Sequence, residues 1–181
     1  MRGYWIVLAA AAALSGGCDT FGKGPYAQAN VQGGEGSRVW GRVTFHQPEE
    51  RSSFSGASAG KTVVRVDING LPPNRKFGFH VHEKGDCTGD FTGAGGHFNP
   101  GGKPHGAQGS GERHAGDLPN LESNGEGVAN AVFTTDLLTV APGPNSVVNR
   151  AIVIHQNPDD YRTQPAGNSG PRIACGVIRG E

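Results

Sequence analysis

Six of the seven histidines in this chain lie where they could share metal ions. His80 and His82 are two residues apart in an apolar segment, so their imidazoles would lie on the same face of a β-strand. His155 ends another apolar segment and could reach the same point. The histidines of an isolated His-x-His pair are more often surface residues than metal ligands. Together, however, the three rings predict a nitrogen-rich site, which favours Cu(II).

A second group of candidate ligands lies in a polar segment. His97, His105 and His114 are 8 and 9 residues apart, and Asp117 follows three residues later. Three histidines and one carboxylate match a closed, four-coordinate zinc site. Because an imidazole has two nitrogens, one ring could bridge two metals. The residues leave open which histidine does so. The remaining histidine, His46, is predicted to be a surface residue without a role.

Short apolar segments must position these side chains. Clusters of Gly and Pro separate the segments, and the 31 glycines suit turns and open loops better than helices. No amphipathic helix of useful length is apparent, so the sequence predicts an all-β antiparallel barrel or sandwich. The predicted strands cover 27–32, 39–45, 64–68, 76–82, 128–134, 151–155 and 173–178.

Two segments without a strand pattern contain or flank the candidate ligands. Residues 83–126 are polar and rich in Gly, Asn and His, and residues 156–171 form a shorter irregular segment. Structureless segments as long as 83–126 are uncommon in compact domains unless they are functional or disordered. A bound metal would order the longer one. A chain of 181 residues with 16 basic and 16 acidic side chains fits one domain and gives no reason to expect nucleic acid as a partner.

Residues 1–18 predict an export signal rather than part of the fold. A single arginine precedes an apolar run over 4–14 that is too short to span a bilayer as a helix, and small residues lead to Cys18. This pattern resembles a bacterial lipoprotein processing site, so we predict lipidation of Cys18. An ordinary secretory signal cut nearby is the alternative. Residues 19–26 are predicted to be a linker and 27–181 the folded domain.

The two other cysteines, Cys87 and Cys175, are an even pair in a chain with an export signal. One disulfide in an oxidising compartment is the natural interpretation, and two free thiols are the alternative. A disulfide would agree with a location in the periplasm or cell envelope, where membrane contact would come only through a lipid on Cys18.

Separated motifs, in order along residues 27–181, resemble the copper/zinc superoxide dismutases. The first is similar to the copper signature of that family, and the position of its cysteine resembles the bacterial branch. The next three are similar to the zinc loop, and the last two are similar to the C-terminal signature. The motifs are GFHVHEKGDC at 78–87, GHFNP at 96–100, HG at 105–106, HAGDL at 114–118, GN at 167–168 and RIACGVI at 172–178.

The resemblance implies an eight-stranded Greek-key barrel with long metal-binding loops, and the dismutation of superoxide to dioxygen and hydrogen peroxide. His97 would bridge the metals and Arg172 would guide and hold superoxide beside copper. Asp159 would link a copper histidine to a zinc histidine, and Cys87 and Cys175 would form the family disulfide. The implied copper ligands are His80, His82, His97 and His155, and the implied zinc ligands are His97, His105, His114 and Asp117.

Three other interpretations compete with this one. A related domain could store or deliver copper without turnover, but every metal ligand of the family and the arginine are present. A zinc hydrolase would need an open metal position and a general base, and the sequence has no His-Glu-x-x-His helix pattern. A purely structural domain leaves the histidines unexplained. The resemblance leaves oligomeric state open, with a homodimer as one candidate.

Overall fold

The computed structural model describes residues 24–49 and 60–181, and this part of the chain is built almost entirely from β-strands. Its one helical element is a single 3₁₀ turn, Thr92–Ala94. No helix in the described ranges is both long and apolar enough to cross a bilayer. The strands are β1 (Tyr26–Gly33), β2 (Trp40–His46), β3 (Thr62–Asn69), β4 (Lys76–Phe77), β5 (Phe79–His82), β6 (Leu121–Glu122), β7 (Ala129–Thr135), β8 (Ala151–His155), β9 (Arg172–Val177) and β10 (Arg179–Gly180).

Eight of these strands form one curled antiparallel sheet. Its order is β5-β8-β9-β1-β2-β3-β7, and β10 pairs with β1 beside that path. The two remaining strands, β4 and β6, pair with each other. Because β4 leads into β5 through Gly78 and β6 packs beside β7, this small ladder lies between the two edges of the main sheet. The predicted all-β barrel or sandwich is confirmed.

The predicted strands are found with small differences at their ends, and the segment predicted as one strand over 76–82 is split at Gly78 into β4 and β5. Two strands were not predicted. β6 lies inside the long polar segment, and β10 follows β9 after one residue. Each has only two residues, which is too short to produce a recognisable alternation.

Alternation of side chains places one face of β1 and of β3 in the core. Along β3 the residues alternate between buried and more exposed positions, as the period of two requires. Each large apolar side chain buried in this way stabilises the fold by about 1.5–3 kcal/mol. The largest fully buried apolar side chains are Phe45, Phe77, Phe79, Ile68, Leu118, Leu121, Leu138, Ile152, Ile154 and Ile178.

The prediction that His46 lies on the surface is wrong, because only 8% of the surface of His46 is exposed. His46 is at the end of β2, which is a central strand. It pairs with Tyr26 of β1 on one side and with Val63 of β3 on the other. The sequence places this residue at a strand end, but in the structure it lies inside the sheet, with a paired strand on each side.

The predicted pairing of the cysteines is confirmed. Cys87 and Cys175 form a disulfide that joins the long polar segment to β9 across 88 residues of sequence. Cys87 packs against a small apolar cluster made of Ala94, Ala151, Val153 and Cys175. The predicted export signal and Cys18 lie outside the described residues, as does most of the predicted linker.

Candidate metal centre

The long polar segment is held against β5 by backbone pairing. Val81 donates its N–H to Gly116 O (3.0 Å), and Phe98 donates its N–H to Val81 O (2.8 Å). Bridge pairs also join His82 to His97 and His80 to Asp117. Although this segment has no long strand of its own, β5 therefore acts as the template that places its candidate ligands beside His80 and His82.

The first set of ligands, which we name the four-histidine cluster, is buried on the side of β5 and β8 that faces this segment. His82 Nε2 and His155 Nε2 face each other at 3.3 Å, and the rings of His80 and His97 are stacked with centroids 3.9 Å apart. One ligand atom from each residue lies within 4.8 Å of all the others. The cluster consists of His80, His82, His97 and His155.

In His80, His82 and His155, a hydrogen bond engages one ring nitrogen and leaves the other free to bind a metal. His80 Nε2–H donates to Asp159 Oδ2 (2.8 Å). His82 Nδ1–H donates to Gly95 O (3.0 Å), and His155 Nδ1–H donates to Gly170 O (3.1 Å). These hydrogen bonds fix the tautomer of each ring. The lone pairs therefore lie on His80 Nδ1, His82 Nε2 and His155 Nε2.

The second set of ligands, which we name the mixed cluster, gathers around one carboxylate oxygen. Asp117 Oδ1 lies 2.9 Å from His97 Nδ1, 3.0 Å from His105 Nδ1 and 3.3 Å from His114 Nδ1. Donors that each bind one zinc ion at about 2.0–2.1 Å are at most about 4.2 Å apart, and all three distances meet this limit. The cluster consists of His97, His105, His114 and Asp117.

His97 belongs to both clusters. Its Nδ1 faces Asp117, while its Nε2 is buried with no hydrogen-bond partner among the described residues. His80 Nδ1 is unpartnered in the same sense. A buried polar nitrogen without a partner is unfavourable, and a metal ion is the ligand that satisfies a lone pair of this type. The two nitrogens of the His97 imidazole therefore face two separate metal positions.

Asp159 connects the two clusters through hydrogen bonds to one histidine of each. Its Oδ2 accepts from His80, and its Oδ1 accepts from His105 Nε2–H (2.9 Å). Asn120 and Asp159 exchange two hydrogen bonds, Asp159 N–H to Asn120 Oδ1 (2.8 Å) and Asn120 Nδ2–H to Asp159 O (2.9 Å). Gly167 must be glycine here, since its φ is +64° and a Cβ would lie 1.7 Å from Asp159 Oδ1.

The electrostatics of the four-histidine cluster keep its rings neutral. Burial lowers the pKa of His80 to about 3, although the hydrogen bond to Asp159 opposes this shift. Burial likewise lowers the pKa of His155 to about 4. The pKa of His82 is lowered by burial first, and the positive charge of Arg172 adds to the effect. At neutral pH these rings therefore offer lone pairs rather than protons, which is the state that metal binding requires.

The mixed cluster has the opposite balance of charge. Burial alone would raise the pKa of Asp117, but hydrogen bonds with His105, His114 and His97 hold it well below its ordinary value. Burial lowers the pKa of His105, but its hydrogen bonds to Asp117 and Asp159 outweigh this effect and raise the pKa to about 9. If this cluster bound zinc, His105 would therefore have to release a proton to solvent.

The donor sets fit copper and zinc. The four-histidine cluster offers only nitrogen ligands, as Cu(II) favours. The mixed cluster offers three nitrogens and one carboxylate, which is a closed zinc set. The predicted copper ligands and the predicted zinc ligands are thus brought together in space, each set as a separate cluster around the shared ring of His97.

Arg172 lies beside the four-histidine cluster and is held by backbone carbonyls. Its Nη2 donates to Gly95 O (2.5 Å), which also accepts from His82, and its Nη1 donates to Phe91 O. The residue before it is Pro171, whose carbonyl accepts a hydrogen bond from Gln156 N–H (2.8 Å).

Several positioning groups were missed by the sequence analysis. The carbonyls of Gly95 and Gly170 orient ligand rings, and backbone atoms have no sequence signature of their own. Gln164 binds the backbone of His105 twice, accepting its N–H (2.8 Å) and donating to its carbonyl (2.9 Å). A glutamine near a proline gives no signal of this contact, because the partner is 59 residues away.

Comparison with known proteins gives one consistent result. The family model described as copper/zinc superoxide dismutase (SODC) matches residues 39–178. A superoxide dismutase [Cu-Zn] of Yarrowia lipolytica is 46% identical over 148 residues, which cover 78% of this chain and 90% of that protein. A superoxide dismutase [Cu-Zn] 2 of Aquifex aeolicus is 44% identical over 122 residues, covering 65% of this chain and 71% of that protein.

A solved structure agrees with these relatives. The crystal structure of the clock protein EA4 has a TM-score of 0.74 and 36% sequence identity, and the match covers 88% of this chain and 96% of that chain. The family match spans most of the sequence, and the two clusters that meet at His97 supply ligand sets for copper and zinc. The chain therefore belongs to the copper/zinc superoxide dismutases and catalyses the dismutation of superoxide.

Proposed function

We propose that the four-histidine cluster holds copper, that the mixed cluster holds zinc, and that the enzyme removes superoxide outside the cytoplasm. The observation that carries the assignment of metals is the orientation of His97. Its Nδ1 lies in a set that contains a carboxylate, and its Nε2 lies in a set made only of imidazoles. Copper prefers the second set and zinc fits the first.

Bound copper supplies the one-electron oxidation and reduction that convert two superoxide ions and two protons into dioxygen and hydrogen peroxide, and bound zinc supplies a fixed positive charge. The protein supplies the geometry and relays one of the two protons, both of which come from solvent. His97 Nε2 lies at the junction of the clusters and can carry a proton to the reduced product when its lone pair is not engaged. Burial of the surrounding rings limits competing proton transfer with water.

Arg172 is proposed to attract and hold the substrate anion. Two carbonyl acceptors, Phe91 O and Gly95 O, fix its guanidinium near His82 and His155, whose pKa values are lowered mainly by burial and in part by its charge. A fixed positive charge at the mouth of a cleft raises the rate of encounter with an anion, and superoxide dismutase is a known example of such steering.

The test is a joint measurement on one purified sample. The protein reconstituted with both metals should bind one copper and one zinc per chain and should consume superoxide catalytically. Protein loaded with zinc alone should be inactive, because zinc has no redox chemistry. A sample that binds copper at the four-histidine cluster but leaves superoxide untouched would support copper storage instead.

We also propose that the enzyme works in the periplasm or cell envelope, held there by a lipid on Cys18. The apolar run over 4–14, the small residues before Cys18, and a disulfide in the folded domain support an exported protein. Cells expressing the full chain should incorporate a fatty-acid probe into the protein, and Cys18→Ser should abolish the label. A labelled Cys18→Ser protein, or an unlabelled wild type, contradicts the anchor.

We propose a homodimer as the assembled form. Family resemblance allows a homodimer, and sedimentation equilibrium of the domain at several concentrations decides between one copy and two.

A further inference from the structure

We propose that Phe91 is a positioning residue for Arg172, and that its aromatic ring sets how strongly the site binds small anions. The inference rests on the anion-binding role proposed for Arg172. Phe91 is not a metal ligand, and its side chain makes no polar contact. Its effect is exerted through its backbone carbonyl, which accepts a hydrogen bond from Arg172 Nη1.

The direction of this carbonyl depends on an unfavourable backbone conformation. Phe91 has φ 67° and ψ 9°, in the left-handed region, and Asp90 before it has φ 55°. Residues with a side chain as bulky as phenylalanine rarely adopt this conformation, and they keep it only when surrounding contacts enforce it. Phe91 O also accepts from Ala94 N–H (3.3 Å), so the same carbonyl starts the 3₁₀ turn Thr92–Ala94.

The phenyl ring supplies contacts that can enforce this conformation. It is partly buried and packs against the apolar cluster beside the disulfide, which includes Ala151, Val153 and Cys175. On another side, its Cε2 and Cζ atoms would lie 3.6 Å from a Cβ placed on Gly34. A change of Phe91 to a common backbone conformation would pull the ring out of this space. Packing of the ring and direction of the carbonyl are therefore linked.

The second carbonyl that holds Arg172 does not need such support. Gly95 O accepts from His82 Nδ1–H as well as from Arg172, and Gly95 is a glycine with φ 73°, which it adopts without strain. Loss of the Phe91 ring should therefore release one of the two hydrogen bonds of the guanidinium and leave the other. The positive charge stays near the site, but its direction is no longer fixed.

Azide titration of the protein loaded with copper and zinc, followed by the visible absorption of copper, tests this inference. Phe91→Ala should weaken azide binding roughly 3- to 10-fold, the scale of one ordinary hydrogen bond, with unchanged metal content. Phe91→Tyr should restore wild-type affinity. Phe133→Ala removes another partly buried phenyl ring, on β7, and should lower stability without changing azide affinity.

A double-mutant cycle with Arg172→Ile separates the possible outcomes. If Phe91 acts through Arg172, adding Phe91→Ala to Arg172→Ile should weaken azide binding no further. Salt dependence of turnover should be retained in Phe91→Ala, where the charge remains, and flattened in Arg172→Ile. Should Phe91→Ala fail to fold, Phe91→Leu takes its place with the same expected order of affinities.

Three results overturn the inference about Phe91 while leaving the role of Arg172 intact. One is wild-type azide affinity in a folded Phe91→Ala protein, another is additive losses in the double variant, and the third is an equal loss in Phe133→Ala. If Arg172→Ile itself leaves azide affinity and salt dependence unchanged, the role proposed for Arg172 fails, and the inference about Phe91 fails with it. A loss in Arg172→Ile without a loss in Phe91→Ala removes Phe91 alone.

Discussion

Replacing His80 with alanine should remove copper from the enzyme and lower superoxide dismutation by more than about 100-fold, because even the outer partners of metal ligands contribute roughly 10- to 100-fold. His80 supplies Nδ1 to the four-histidine cluster, and its other nitrogen donates to Asp159. The variant therefore loses a ligand and also leaves Asp159 Oδ2, which is fully buried, without its donor.

Metal analysis and a superoxide consumption assay on the same sample measure this effect. His46→Ala is the matched control, because it removes another buried histidine, on β2, that belongs to neither cluster. The control should retain one copper and one zinc per chain. Full copper content with full activity in His80→Ala would show that copper binds elsewhere. Equal copper loss in both variants would indicate general unfolding rather than loss of a ligand.

Loss of the disulfide in Cys87→Ser/Cys175→Ser should lower the free energy of unfolding of the metal-free domain by about 2–5 kcal/mol, the usual range for a small exported domain. The bond closes a long segment, since 88 residues separate its cysteines. In the folded state it also ties the loop that contains Phe91 to β9, which begins with Arg172.

Denaturant unfolding of the metal-free protein measures the loss. Wild-type protein treated with a reductant should unfold at the same denaturant concentration as the double variant, since both lack the same bond. Unfolding curves of the oxidised wild type and the double variant that superimpose would contradict the prediction. Because the bond lies outside both clusters, the folded variant should still bind copper and zinc when they are supplied in excess.

The strands could be predicted from sequence because burial imposes a period of two. β3 is the clearest example, since alternation predicted a strand over 64–68 and the strand found, Thr62–Asn69, alternates between buried and more exposed residues. The two ligand clusters could also be predicted, since nearly all histidines lie on β5, on β8 or in the long polar segment. Residue type and spacing indicated one set with His80, His82 and His155 and one set with His97, whereas the sharing of His97 was implied only by the family resemblance.

The remaining features depend on contacts between distant parts of the chain. His46 is buried in the folded domain, and the sequence of β2 alone does not report this. Gly95 and Gly170 act through their carbonyls, and the role of Phe91 requires a backbone angle that is known only once the loop is folded. Each of these features is a property of tertiary structure, which a local pattern of apolar and polar residues does not report.

Asp159 receives one hydrogen bond from a ring of each cluster, and we expect this arrangement to couple the binding of the two metals. A metal that orders His105 orders the carboxylate, and the carboxylate in turn aligns His80. Equilibrium coupling of this kind is reciprocal, so the factor by which zinc strengthens copper binding equals the factor by which copper strengthens zinc binding. A shortage of zinc would then weaken the binding of copper.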